Sequence, residues 1–427
     1  MGDSPTGMKV VSIETKPRNA MSVVEFPQLI DRGCGLDVHK DNVVASIRGK
    51  GLAEETRTFL TFTNDLEELT AWLRSHNITH IAMESTGVYW KPVYYILEDF
   101  FEIILVNARH IKNVPGHKTD KKDSEWIAKL LLSGLLKHSF VADGPIRELR
   151  TLTRHRRKLI NERSREKNRL QNILEDANIK LGSVISDVFS KTGTGIMELL
   201  LNGITDPVIL ANQAKGSLVN KKDILQRALH GRFTERHRFM LSLISQTIDS
   251  LSNLIKQVEN QIELYIQDMQ QQINLLQTIP GVARQSAIGI IAEIGIDMSQ
   301  FCSDKHLASW AGVCPGNNES AGKVRSSRVT HGNTHLKTTL IETAWAASHT
   351  INTHLSFKYG VLAHRRGKKK ATMAIAHDIL TASYHIIRDK VPYKEPYLRE
   401  DILMQRRKAE MLRLEKRLLK LKILASK

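Results

Sequence analysis

Five short apolar runs between Asp31 and Val106 restrict this chain more than any other feature. Three follow one another closely, near residues 33–39, 42–49 and 56–62, with glycine or charged turn residues between them, as antiparallel strands have. A fourth, Ile78–Glu84, and a fifth, Phe101–Val106, come later, with helical periods in between. The first of those helices starts at Asn64, with Glu67 in capping-box spacing and Leu66, Leu69 and Trp72 on one face. The second runs through Trp90, Val93, Tyr94 and Leu97. The fifth run is almost wholly apolar, the pattern of a strand buried on both faces. Three strands followed by alternating helix and strand make a layered α/β domain, closed by a helix from about Asp120 to Leu136.

Charge narrows the partners. The 427 residues carry 62 Lys+Arg against 45 Asp+Glu, a formal +17, which favours polyanions and nucleic acid before any other. No run of 18 apolar residues could span a bilayer, and no secretion signal opens the chain. Cys34, Cys302 and Cys314 are too few and too scattered for a zinc site or a disulfide framework. The expectation is a cytoplasmic, nucleoid-associated protein with no membrane partner. The bases concentrate in one long helix from Pro145 to about Leu181. There Arg154, Arg156, Arg157, Lys158, Arg163 and Arg165 have few acids between them and suit phosphate contact.

Residues 1–30 lack a period and form a disordered extension; 31–142 are the α/β domain; 143–275 hold the basic helix and a helical, coiled-coil region. Within the last, Ile244, Ile248, Leu251, Ile255, Val258, Ile262, Tyr265 and Met269 form an a/d seam. It needs a partner: the basic helix folding back, or a second subunit in a dimer or tetramer. Residues 276–390 are mainly helical. They open on Ile279-Pro280-Gly281-Val282, which has the outline of a helix-hairpin-helix, although Ala283 leaves a plain packed turn equally open. Residues 391–427 form a charged amphipathic tail with Met411, Leu414, Leu418 and Leu421 aligned.

Two stretches carry chemistry. Asp37 lies in an apolar strand, where a carboxylate is costly unless a cation compensates it. Glu84 ends the fourth strand, and Asp120 and Asp123, spaced i, i+3, share one face of a helix start. Hard Mg²⁺ prefers such oxygen ligands, and carboxylate-held divalent ions offset the charge of a phosphoryl transfer. Each acid alone could be a cap or turn residue; four in one fold order favour a metal site. The second stretch, Pro315 to Asn333, is polar, glycine-punctuated and cationic, with Lys323, Arg325 and Arg328 placed to bind a scissile phosphate. The residues alone favour a DNA-contacting loop in which Ser320 donates one hydrogen bond, with Ser326 and Ser327 as competitors.

Gly35-Leu36-Asp37-Val38-His39-Lys40, Met83-Glu84-Ser85-Thr86-Gly87-Val88-Tyr89-Trp90 and Lys118-Thr119-Asp120-Lys121-Lys122-Asp123 resemble the DEDD motifs of one family of bacterial insertion-sequence transposases. The similarity runs from about Asp31 to Lys390. It implies an RNase H-like, RuvC-like N-terminal domain and a mainly helical C-terminal transposase domain. It further implies Mg²⁺ on Asp37, Glu84, Asp120 and Asp123. The serine of a Ser-Ala-Gly-Lys stretch, here Ser320, would be the nucleophile that attacks DNA. Family members are bridge-RNA-guided recombinases, so donor and target DNA and a guide RNA are the implied partners. The alternative is a RuvC-like metal-dependent nuclease or junction resolvase in which water attacks.

Overall fold

A computed structural model describes residues 28–85, 87–107, 123–316, 318–320, 323–326, 328–395, 407–408 and 410–419; for 318–320 and 323–325 it describes the backbone alone. The extension before residue 28 and Asp120 therefore lie outside the described residues. The chain divides after Val141 into two compact units.

In the first unit, β1 (Arg32–Val38), β2 (Asn42–Gly49) and β3 (Glu55–Leu60) form an antiparallel meander. Helix α1 (Thr63–Ser75) leads to β4 (His80–Glu84), and α2 (Trp90–Leu97) to β5 (Glu102–Val106). Both β4 and β5 run parallel to β1, giving the order β3-β2-β1-β4-β5. The five expected strands are all present. The expected cap of α1 is not: Phe62 occupies the N-cap without a side-chain bond, and Asn64 lies inside the first turn. Phe62 has the extended backbone of an N-cap residue, and its carbonyl accepts the first helical bond, from Leu66 N–H.

Side-chain alternation assigns the two faces of this sheet. Cys34, Leu36, Ile81, Met83, Ile103 and Leu105 pack under α1 and α2 through Leu66, Leu69, Leu73, Val93 and Leu97. Ala82 faces the other way, onto Ile127 and Leu131 of α3 (Asp123–Leu132). Gly35 shares that second face. A Cβ there would lie 2.1 Å from the Ser124 carbonyl oxygen and 2.4 Å from the Ala128 nitrogen, so α3 rests directly on the backbone of β1. Ser46, opposite Gly35 on β2, bonds Ser124 Oγ at 2.7 Å and pins the first turn of α3.

The second unit is mostly helical. It begins with α4 (Gly144–Asp176), followed by the short α5 (Leu181–Val184), α6 (Lys191–Leu201), α7 (Pro207–Ala211) and α8 (Lys222–Leu229). These close over a core of Leu170, Leu174, Ile196, Leu200, Leu225 and Leu241. Helix α9 (Glu235–Tyr265) runs back along α4 in the opposite sense: Arg156 reaches Glu259, Arg163 reaches Ser252, and Asp176 meets Arg236. Ile244, Ile248, Ile255 and Ile262 of the seam are buried. The seam's partner is the basic helix of the same chain.

Beyond it come α10 (Gln270–Leu276), α11 (Arg284–Ile294), α12 (Asp304–Ala311), the strands β6 (Asn318–Ser320) and β7 (Lys323–Ser326), and α13 (Thr334–His349). Helices α14 (His354–Arg366) and α15 (Lys368–Asp389) complete the packed part. The turn between α10 and α11 contains Gly281 at φ +86°, where a Cβ would fall 2.4 Å from the Ala347 nitrogen. This turn packs against α13, which accounts for its glycine without a phosphate.

Adding one methyl group to a backbone contact forces overpacking, at a cost of about 1–3 kcal/mol. Gly35→Ala should therefore lower the denaturation midpoint of the chain. Gly360→Ala, on a helix with open space around it, should leave the midpoint unchanged or raise it slightly. Urea unfolding followed by circular dichroism compares the two.

Candidate active site

Asp37 and Glu84 each stand one residue past the last paired position, Leu36↔Met83, of two adjacent parallel strands. Two residues beyond Gly35 and Ala82 respectively, they project from the face that carries α3, and Asp123 opens that helix. The three described acids thus belong to one face and one end of the sheet. All their donor atoms are carboxylate oxygens, a set suited to a hard divalent cation. Among the described residues, no three His, Cys, Asp or Glu side chains close into a metal cluster, and the fourth expected ligand, Asp120, is outside them.

His39 was missed by sequence reasoning. Its Nε2 lies 3.1 Å from Asp37 Oδ2, an i, i+2 partner on the same side of the strand. The Asp-Val-His alternation was its signal. Cys34, by contrast, is fully buried on the opposite face, and burial pushes its thiol far above the usual range, which leaves it inert.

The serine stretch forms a two-stranded hairpin. Ser320 ends β6 and pairs with Lys323 of β7, with only Ala321 and Gly322 between them in sequence. Its base is held by the Pro315–Val329 bridge and by Gly316 N–H donating to the Arg328 carbonyl at 2.9 Å. Ser326 Oγ accepts the Arg328 N–H at 3.2 Å, so this competing serine has a turn to maintain. Ser327 lies outside the described residues, as do the side chains of Ser320, Lys323 and Arg325; Arg328 is exposed.

The basic helix is more heavily engaged than its sequence suggests. Arg154 forks onto Glu293 with two 2.7 Å bonds, Arg156 bonds Glu259, Arg157 pairs with Glu342 and Arg163 with Ser252. Lys158 and Arg165 are exposed. Arg154, Arg156, Arg157 and His335 also line a cavity of about 270 Å³ that opens over Glu293.

Glu293 itself was overlooked, although an acid within the apolar run Ala287–Ile294 is a signal of a buried partner. Its side chain is 4% exposed. Besides the Arg154 fork it accepts the Asn333 Nδ2–H at 2.6 Å, while Arg150 donates to the last-turn carbonyls of Ala292 and Glu293. Burial alone would raise this carboxyl. The hydrogen bond and charge of Arg154, with Asn333 and Arg150, outweigh it and hold the group below the usual glutamate range. His335 beside it is lowered, by burial first and then by the positive field of Arg154, Arg157 and Lys158, so it stays neutral at pH 7.

Residues 34–179 match a family model described as transposase, of the DEDD type, and residues 273–359 match one described as transposase IS116/IS110/IS902 family. The chain is similar to pilin gene-inverting proteins of Moraxella bovis and Moraxella lacunata. Each is 24% identical over 383 residues, covering 84% of this chain and 96% of the relative. These matches, one over the α/β unit and the start of the helical unit and one within the helical unit, define a DNA transposase or recombinase. The chain belongs to the IS110/IS116/IS902 transposase family.

A carboxylate with a depressed folded pKa stabilises the fold above its unfolded value and stops doing so as pH falls through the folded one. For Glu293 that loss begins below about pH 4.5. Glu293→Gln should destabilise the chain at pH 7, by up to about 3–5 kcal/mol because Arg154 loses its counter-charge. It should also make the fall in thermal midpoint below pH 4.5 shallower than in the wild type. Scanning calorimetry from pH 7 to 3 reads both.

Proposed function

We propose that this transposase cuts and rejoins DNA through a serine nucleophile, Ser320, together with a Mg²⁺ site formed by Asp37, Glu84, Asp120 and Asp123. The observation that carries the reading is the placement of Asp37 and Glu84 on neighbouring parallel strand ends, on the face where Asp123 opens α3. The strand order β3-β2-β1-β4-β5, three antiparallel strands and then two parallel crossovers, supports assigning the first unit to the RNase H-like, RuvC-like fold. Residues 31–142 would be that domain, 143–275 the helical linker region and 276–390 the transposase domain.

In the reaction, the Ser320 hydroxyl gives up its proton and its oxygen bonds to phosphorus, while the bond from phosphorus to the leaving sugar oxygen breaks. That oxygen leaves with the electron pair and takes up a proton. A sugar hydroxyl of the incoming strand then attacks the phosphoserine and returns the serine oxygen, so no high-energy cofactor is consumed. Bound Mg²⁺ would supply Lewis-acid stabilisation of the phosphate oxygens. Lys323, Arg325 and Arg328 flank the serine in sequence and would hold the phosphate; Lys158 and Arg165 offer exposed charge for the nucleic-acid backbone. Kinship to proteins named for gene inversion supports rejoining as well as cutting, since inversion leaves both ends sealed. Base specificity would come from a bridge RNA pairing with donor and target, and the working particle would be a homo-oligomer.

The test uses the full chain with the RNA that co-purifies with it, and duplexes spanning the ends of the element that encodes it. On a denaturing gel the wild type should give a covalent protein–DNA adduct that Ser320→Ala lacks and Ser326→Ala retains. Asp37→Asn and Glu84→Gln should reduce strand exchange by about 100-fold or more while DNA binding stays within about twofold. Intact cutting with no adduct would assign the attack to water instead.

A further inference from the structure

We propose that Glu293 is a positioning residue for the serine hairpin, acting through Asn333. The proposal rests on the reading of Ser320 as the nucleophile. Glu293 sits in α11 and Arg154 in α4, while Asn333 is the residue at which the serine stretch ends and α13 begins. Both carboxylate oxygens are occupied: Oε1 by Arg154 Nε, and Oε2 by Arg154 Nη2 and Asn333 Nδ2. The other end of the Asn333 amide, Oδ1, accepts from the backbone N–H groups of His335 and Leu336 and caps α13. One side chain therefore terminates the loop, starts the helix and docks both on a buried charge.

The docking is transmitted to the hairpin by a stiff base. A Cβ on Gly332 would meet the Gly312 nitrogen at 2.4 Å, so the segment just before Asn333 lies against the end of α12. Lys337 Nζ donates to the Thr330 carbonyl at 3.1 Å, and the two arms are tied by Thr330 N–H to Cys314 O and by Gly316 N–H to Arg328 O. Moving Asn333 shifts the arm that leads into β7, whose Lys323 pairs with Ser320. An apolar residue at position 293 would pack in this helix at lower desolvation cost, yet it would leave the loop end undocked. A misplacement of about 1 Å at a reacting atom costs a rate factor on the order of 100.

The full chain with its co-purifying RNA and the element-end duplexes again serves as the assay. Asn333→Ser keeps an oxygen able to cap α13 but removes the amide that reaches Glu293. We expect its adduct-forming rate at saturating DNA to fall about 10- to 100-fold, with the DNA Kd within about twofold and the thermal midpoint within a few degrees. Glu293→Gln should slow the same step, and the double variant should be no slower than the slower single, since both break one connection. If Glu293→Gln fails to fold, Asn333→Ser carries the test. An undiminished adduct rate in Asn333→Ser, or a loss that merely follows Kd and midpoint, overturns the proposal. A wild type without any Ser320 adduct overturns the nucleophile assignment instead.

Discussion

A carboxylate withdrawn from water must recover several kcal/mol of lost solvation from its neighbours, or it will not stay ionised. Glu293 recovers it from an arginine fork and an amide, and those partners come from segments far apart in sequence: α4, 139 residues before it, and the start of α13, 40 residues after it. That requirement fixes how the second unit is assembled. Helix α4 cannot roll against α11 without separating Arg154 from its counter-charge, nor without uncovering the α11 carbonyls that Arg150 holds. The same residue of α4 that makes the helix look like a nucleic-acid contact surface is thus also part of the fold.

The first unit is governed by a different constraint, the absence of a side chain. Gly35 and Ala82 let α3 approach the sheet, and the two acids occupy the next outward positions on their strands, just past the covered part. A larger residue at position 35 would lift the helix that Asp123 opens. The acidic face follows from close packing two residues earlier.

The strands were legible because short apolar runs between turn residues have few other uses; their order β3-β2-β1-β4-β5 was not, because the runs show that strands exist and not which ones pair. The positions of Asp37, Glu84 and Asp123 on their elements were legible because a charge near the end of an apolar strand, or at a helix start, is conspicuous. The cap of α1 was not, since Phe62 has no capping chemistry and only its backbone conformation matters. Nor was the engagement of the basic helix: Glu259, Glu293 and Glu342 lie 103, 139 and 185 residues from their arginines, and no local pattern links them. His39 and Glu293 had signals, alternation in one case and an isolated acid in an apolar helix in the other. The periodic isoleucines of α9 announced a partner without saying which, because a heptad stripe fits any complementary helix equally well.

That stripe is now satisfied within the chain. Ile244, Ile248, Ile255 and Ile262 are covered, while Phe239, Leu243, Leu254 and Leu264 on other sides of the same helix remain exposed to solvent. A second copy could not dock by a parallel zipper along the isoleucine row without first prying α9 from α4. Along this row the subunit is already complete, so a second copy would meet α9 only on the faces that its own chain leaves uncovered.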